Sequence, residues 1–459
     1  MICKASFDPE DTMIKFPDAV KHLISALNAA GHEAYAVGGC VRDALLNKKP
    51  NDWDLTTSAL PEEIKAVFPR ERIIETGIKH GTVTVLVKGE PYEITTYRVD
   101  GEYTDHRRPD SVQFVKNLKE DLMRRDFTVN AMACHPETGL VDLFGGRDDL
   151  EKRIIRAVGE PEKRFEEDAL RILRALRFAS TYDFSIDEQT ALAANRLRNT
   201  LENVSEERIF VELKKLLCGK GAERILCDYA EILFSVLPEL KPMYGCGQNN
   251  PHHAYDVWTH TAKSVANVPA EAHFRLTMLL HDAGKPACKY VGEDGFDHFK
   301  GHPVVSRKIA EAVLLRLKSD KATMQLVSKL VQEHDLRVPA KPMNVRRQMA
   351  RIGKDIFGML IPVMRADSLA QNPAMHDEKI AYVDAIEREY ASALRENACL
   401  CLQDMHISGK DLLALGLRGK IVGELLNDLL FDIIEGKVHN ENAALIRRAE
   451  ILSRQKAGK

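Results

Sequence analysis

Two aspartates set two residues apart, Asp52 and Asp54 in NDWDLTT, are the first side chains in this sequence whose spacing suggests chemistry. On a β-strand, side chains alternate faces with a period of two, so a strand here puts both carboxylates on one face. Two hard oxygen ligands so placed can hold one or two Mg2+ ions, the arrangement that stabilises an attacking oxygen and a leaving phosphate oxygen together. Alone, such a pair is more often a solvated pair of acids, so its weight comes from what precedes it. In VGGCVRD, Gly38-Gly39 falls between a predicted strand and a predicted helix. There the missing side chains let backbone N–H groups approach a phosphate, with Arg42 about one turn into the helix. A tight turn followed by an Arg42–Asp43 surface pair is the alternative for this segment by itself. Beside DWD, nucleotide binding is the better reading. Glu93, in YEITTYR, is a candidate third carboxylate whose facing the sequence leaves open.

A second set lies further along. Asp168, Arg171, Arg174 and Arg177 recur every third residue on a predicted helix, with Leu170, Leu173 and Leu176 in the alternate stripe. Three-residue steps fall short of the helical turn, so the four sweep around about half the helix and cannot all touch one base. Asp168 and Arg171, about 4.5 Å apart along a helix axis, suit one base edge as acceptor and donor fork. Adenine and cytosine match that pair. Uracil and guanine present a carbonyl beside a ring N–H, and the mismatch strands buried polar groups. Arg174 and Arg177 then fit phosphate clamping better than base reading. The alternative is an amphipathic helix whose arginines pair with Glu166, Glu167 and solvent.

A third set, His260, His281, Asp282, His302, His334 and Asp367, mixes imidazoles and carboxylates as divalent-metal sites do. Asp282 could bridge two ions serving phosphate ester hydrolysis, with Lys285 contacting a substrate phosphate or standing as a solvated cation.

The elements that must position these residues differ along the chain. From about residue 18 to 146, short β-branched runs (AYAVGG, TVTVLV, YEITTYRV) alternate with helical stretches, which indicates a mixed α/β domain. After Gly146 the strand signal stops and helical periodicity carries to the end. The expected organisation is an α/β head at 1–146, a helical neck and body at 147–245, a third helical domain at 246–380 and a helical tail at 381–459. With 65 Lys and Arg against 68 Asp and Glu, the net charge of −3 excludes a bulk polycation but not local phosphate binding. The nine cysteines are odd in number and contain no CxxC, against a disulfide framework or thiolate zinc site. The N-terminus lacks a signal-peptide pattern and no window approaches roughly 18 uninterrupted apolar residues, so a cytoplasmic protein with no membrane partner is expected.

GGCVRD and DWDLTT, with RRDFTVNAMA (124–133), the run GRDDLEKRIIRAVGEPEKRFEEDALRILRALRFA (146–179) and SEERIFVELKKLL (205–217), resemble the nucleotidyltransferases of the DNA polymerase β superfamily, specifically the class II bacterial CCA-adding enzymes. The resemblance implies head, neck and body regions with further helical domains, Mg2+ on Asp52 and Asp54, and tRNA, CTP and ATP as partners. It implies that Gly39 and Arg42 help bind the nucleotide and that Asp168 and Arg171 serve as an amino-acid template for CTP and ATP. Arg125 would contact triphosphate or base, with Asp126 and Asn130 organising the site. DGEYTDHRRPD (100–110) resembles the loop this family needs to switch from C to A addition. In the third set, WTHTAKS, LLHDAGKP, FKGHPVVS, LVQEHD and MRADSLAQ resemble the HD phosphohydrolases, implying a phosphatase or cyclic phosphodiesterase with Mg2+, Mn2+ or Ni2+. An A-adding enzyme, a poly(A) polymerase, and an HD phosphohydrolase whose head only binds RNA stay open.

Overall fold

The computed structural model describes residues 14–100 and 112–457, and the chain divides into two units, Met1–Pro238 and Glu239–Lys459. Apart from Asp100, DGEYTDHRRPD lies outside the described residues.

In the first unit, Val20, Leu23, Ile24 and Leu27 recur at i, i+3, i+4 and i+7 and are all buried, which makes α1 (Asp18–Ala29) an amphipathic helix. There follow β1 (Ala34–Val37), α2 (Gly39–Leu45), β2 (Leu55–Thr57), α3 (Pro61–Val67), β3 (Arg72–Ile74), β4 (Thr82–Val87), β5 (Glu90–Thr96), β6 (Arg98–Asp100), β7 (Val112–Phe114), α4 (Leu118–Met123), β8 (Met132–His135) and β9 (Gly139–Asp142). Seven strands form one mixed sheet in the order β3-β4-β5-β2-β1-β8-β9, and β6 pairs with β7 separately. Central β2 runs parallel to β5 and antiparallel to β1. The aspartate pair stands just outside the strand that its spacing predicts. Both ladders start at Leu55, opposite Ile94 and Ala36, so Asp52 and Asp54 lie in the chain leading into β2. One last rung reaches them, from Val37 N to the Asp54 carbonyl at 3.0 Å.

Beyond Gly146, strand among the described residues is limited to two-residue pairs, Ile154–Ile155 with Ser185–Ile186 and Tyr290–Val291 with Asp297–His298. The first unit continues through α5 (Gly146–Lys152), α6 (Pro161–Glu167), α7 (Leu170–Tyr182), α8 (Glu188–Arg196) and α9 (Glu206–Leu217). The single helix expected to carry Asp168 to Arg177 is broken. Asp168 sits between α6 and α7 at φ −142°, ψ 103°, and its Oδ1 accepts from Leu170 N at 3.1 Å. That local side-chain-to-backbone bond is why Asp favours helix starts over interiors. The one-turn separation of Asp168 and Arg171 therefore does not apply.

The second unit is helical, with one apolar core around Val345, Phe357 and Ile386 and another around Leu412, Leu425 and Leu445. No helix among the described residues is long and apolar enough to cross a membrane.

Close backbone approach fixes α5 against the turn after α4. A Cβ on Gly146 would stand 2.3 Å from the Thr128 carbonyl oxygen, and Thr128 Oγ1 donates to Asp149 at 2.6 Å. Gly146→Ala should cost roughly 1–3 kcal/mol by overpacking. A thermal melt matching wild type would show that the approach is not a constraint.

Candidate functional site

Gly38 occupies the corner between β1 and α2 at φ +81°, and a Cβ there would lie 2.8 Å from Arg125 Nη1, so both conformation and space call for glycine. Gly39 starts α2, and Arg42 one turn later is buried rather than at the surface. Its guanidinium donates to Asp43 Oδ1 at 2.9 Å and to Asn130 Oδ1, and lies 4.7 Å from the Tyr182 ring centroid. Asp54 is exposed at the mouth of the sheet. Even so, loss of water around its carboxyl, followed by the charges of Asp52 and Glu93, pushes it up to about 6, with Arg125 acting the other way. The facing of Glu93 that the sequence leaves open is thus toward the aspartates.

Below the aspartates lies a residue that spacing did not single out. Asp121 is fully buried and accepts from Thr56 Oγ1 at 3.1 Å and from Arg124 Nε and Nη2 at 3.0 and 2.8 Å, with Arg125 Nη2 3.6 Å away. Burial alone would raise its carboxyl, but Arg124 and Arg125 hold it below the ordinary value. Its three- and four-residue offsets from the two arginines, on one helical face, were the available signal.

The neck residues come together through partners from other elements. Asp126 Oδ2 accepts from Arg174 Nε and Nη2 at 2.8 and 2.6 Å, and its Oδ1 from Asn130 at 3.0 Å. Although burial opposes it, Arg174 and Asn130 hold the Asp126 carboxyl down to about 2. Arg177 pairs with buried Glu212 of α9 at 2.5 Å. Arg171 donates to Glu167 at 2.6 Å and to the carbonyls of Arg164 and Arg124, each at 3.0 Å. Asp168 Oδ2 accepts from Arg208 at 2.8 Å.

In the second unit, five helices bring the third set together. His260 lies in Val257–Asn267, His281-Asp282 just after Ala272–Leu280, His302 at the start of His302–Arg316, His334 at the end of Lys321–Glu333 and Asp367 in Lys354–Leu369. Each imidazole sets its Nδ1 on a backbone carbonyl: Ala370 at 3.2 Å, Met278 at 2.7 Å, Phe299 at 2.9 Å and Val331 at 2.7 Å respectively. A proton held there turns every Nε2 inward as the available ligand atom, as metal-ligating histidines are arranged. His260 and His281 Nε2 lie 3.3 and 3.2 Å from Asp282 Oδ2; His302 and His334 Nε2 lie 3.2 and 3.6 Å from Oδ1. Asp367 Oδ1 joins the first pair, 3.0 Å from His260.

Both Asp282 oxygens are buried without hydrogen-bond geometry to any described partner, although Lys285 Nζ is 2.7 Å from Oδ2. Burial would lower His281, yet Asp282 and Asp367 push it up to about 10, so metal binding there would have to displace a proton from its Nε2. A buried carboxylate facing four inward-turned imidazole Nε2 atoms fits a pair of divalent cations sharing Asp282. A cavity of about 880 Å³ opens on the cluster, and Lys285, Lys300, Arg337 and Lys379 line it.

The chain matches the model of the poly A polymerase head domain over residues 34–156. It also matches the probable RNA and SrmB-binding site of polymerase A over 183–243 and tRNA nucleotidyltransferase domain 2 over 304–449. It is 36% identical over 434 residues to a CCA-adding enzyme of Enterococcus faecalis, covering 93% of this chain and 94% of that one. With a CCA-adding enzyme of Bacillus cereus it shares 50% identity over 220 residues, 48% of this chain and 55% of that one. Among solved structures, the Bacillus stearothermophilus CCA-adding enzyme in complex with CTP aligns over 97% of this chain and all of that one, at TM-score 0.69 and 28% identity. The Thermotoga maritima CCA-adding enzyme complexed with tRNA shares the fold at TM-score 0.60 and 21% identity, over 97% and 96% of the chains.

The raised Asp54 carboxyl yields a stability test. Its folded value of about 6 lies above the ordinary carboxyl value of 3.8, so its charge costs stability that is intact below about pH 4 and lost as pH rises through 6. Without divalent cation, Asp54→Asn should melt above wild type at pH 7.5, and the gain should vanish by about pH 4. A variant less stable than wild type at pH 7.5 would contradict the crowding.

Proposed function

The chain belongs to the CCA-adding enzymes, and from that premise we propose that it adds C, C and A in order to the 3′ end of tRNA, in the cytoplasm, using CTP and ATP and releasing pyrophosphate. The observation that carries this is the 36% identity to the Enterococcus faecalis enzyme across nearly the whole of both chains. The crowded carboxylates of Asp52, Asp54 and Glu93 support it, because mutually repelling acids are what a hard cation reconciles. Asp52 and Asp54 would hold Mg2+, which when bound supplies positive charge for a 3′-hydroxyl attacking the α-phosphate and for the departing pyrophosphate.

The protein's own part is positioning. The Gly38 N–H is taken by the Met132 carbonyl at 3.1 Å, so it is the start of α2 at Gly39, beside Arg125 and Arg42, that faces a triphosphate with N–H groups and cationic partners. Asp168 accepts from the exocyclic amine of cytosine or adenine, and Arg171 donates to the adjacent ring nitrogen. Uracil and guanine meet that pair acceptor to acceptor and donor to donor. Arg174 and Arg177, already paired with Asp126 and Glu212, brace the wall behind the base, and a phosphate would have to compete with those carboxylates for them.

The histidine cluster supports a second reading: His260, His281, Asp282, His302, His334 and Asp367 hold divalent metal, Mg2+, Mn2+ or Ni2+, in an HD-type phosphohydrolase site. The Nε2 atoms that converge on buried Asp282, whose oxygens accept no hydrogen bond from a described residue, favour it. Bound there, the metal would supply Lewis acidity for phosphate ester hydrolysis, with Lys285 and Lys300 facing the ester's charge.

Purified protein with Mg2+ should add two C and one A in order to a tRNA transcript ending before CCA, and use neither GTP nor UTP. Growth of a long A tail, or A added only to a transcript ending in CC, would replace this reading with poly(A) polymerase or A-adding enzyme. Asp52→Ala should abolish incorporation while tRNA affinity holds. For the second site, metal analysis after Mn2+ or Ni2+ loading should show Asp282→Asn losing both metal and hydrolysis of p-nitrophenyl phosphate, with nucleotide addition intact. Undiminished metal in Asp282→Asn would discard the metal assignment.

A further inference from the structure

We propose that Arg208, outside the base-reading pair, is a positioning residue that sets nucleotide specificity by aiming Asp168. The inference rests on the reading above, in which Asp168 and Arg171 face the incoming base.

Asp168 cannot be aimed by a helix, because it lies in the break between α6 and α7. Its carboxylate is held instead from two sides: Oδ1 accepts from Leu170 N at 3.1 Å and Oδ2 from Arg208 Nη2 at 2.8 Å. The torsion that turns a carboxylate about its stem is soft, so one anchor leaves its plane free to swing and two fix it. Each oxygen keeps one lone pair beyond its anchor, and the group faces a base as an acceptor of set direction.

α9 is the element that supplies the fixing charges. Arg208 and Glu212 are four residues apart on one face of that helix, and Glu212 answers Arg177 and Arg174 as Arg208 answers Asp168. Arg171 has a different keeper, Glu167 at 2.6 Å with two backbone carbonyls. Glu167 thus bears on the donor half of the base reader and Arg208 on the acceptor half.

A second observation bears on the same residue. Arg208 Nη1 is buried and makes no hydrogen bond to any described residue. A buried unpaired donor is costly to keep, and an acceptor atom on a nucleotide seated beside Asp168 would satisfy it. Arg208 is therefore both bound to the template and unfinished without a ligand.

A merely structural arginine and a specificity-setting one make different predictions. If Arg208 only stabilises the packing of α9 on α7, its loss lowers the melting temperature and slows all nucleotides by one factor. If it aims Asp168, its loss relaxes selection, because a carboxylate free to swing no longer forces the mismatch on uracil or guanine. The test is kcat/KM of the full chain for CTP against UTP on a transcript ending before CCA, and for ATP against GTP on one ending in CC.

Arg208→Gln should lower both discrimination ratios by roughly 10- to 100-fold, the scale of a small misplacement at a reacting centre. Arg208→Lys keeps the charge without the planar fork and should fall between Gln and wild type. Unchanged ratios in both variants, or equal losses for all four nucleotides, would overturn the proposal. Should the Gln variant melt low, the Lys variant decides by the same ratios. Wild-type protein that fails to prefer CTP over UTP would instead overturn the base-reading assignment beneath it.

Discussion

The bidentate pair between Asp126 and Arg174 decides where the helical part of the first unit stands against its sheet. Asp126 belongs to the turn after α4 and Arg174 to the middle of α7, and both contacts are under 3 Å, with Asp126 buried and Arg174 partly exposed. Removing one member of such a pair leaves an uncompensated buried charge, at a general cost of roughly 3–5 kcal/mol. Its value here lies in direction more than in net stability. Two nitrogens of the Arg174 guanidinium close on one Asp126 oxygen while Asn130 holds the other, which sets the rotation of α7 and so the side on which Arg171 and Arg177 emerge.

From that contact the charges form a connected set. Arg174 also approaches Glu212, Glu212 pairs with Arg177, and Arg208 one turn earlier on α9 reaches Asp168. Arg42 closes the set from the sheet side through Asn130, which itself donates to Asp126. Such networks specify a geometry because each member has few satisfied alternatives.

The two candidate sites share a principle with opposite exposure. In the first unit, three acids crowd an open surface, and loss of water around Asp54 together with their repulsion raises its carboxyl. In the second, four imidazoles and the carboxylates of Asp282 and Asp367 converge, and buried Asp282 accepts no hydrogen bond from a described residue. Both leave charge unresolved within the protein, which is costly to fold and useful for binding ions.

The motifs and the residue types of both sites were legible in the linear sequence, because DxD spacing, the GG corner and the His-Asp series are local signals. So was the change from α/β to helix near Gly146, since strand and helix periodicities differ over a few residues. Other features were decided only by tertiary structure: the start of β2 after the aspartates, the break at Asp168, the facing of Glu93, and Asp121, Glu212 and Arg208 as partners of the motif arginines and Asp168. Each depends on which distant element supplies a ladder, a donor or a counter-charge. Short-range spacing announces a residue's chemistry, whereas its direction is set by partners that the chain brings near only by folding.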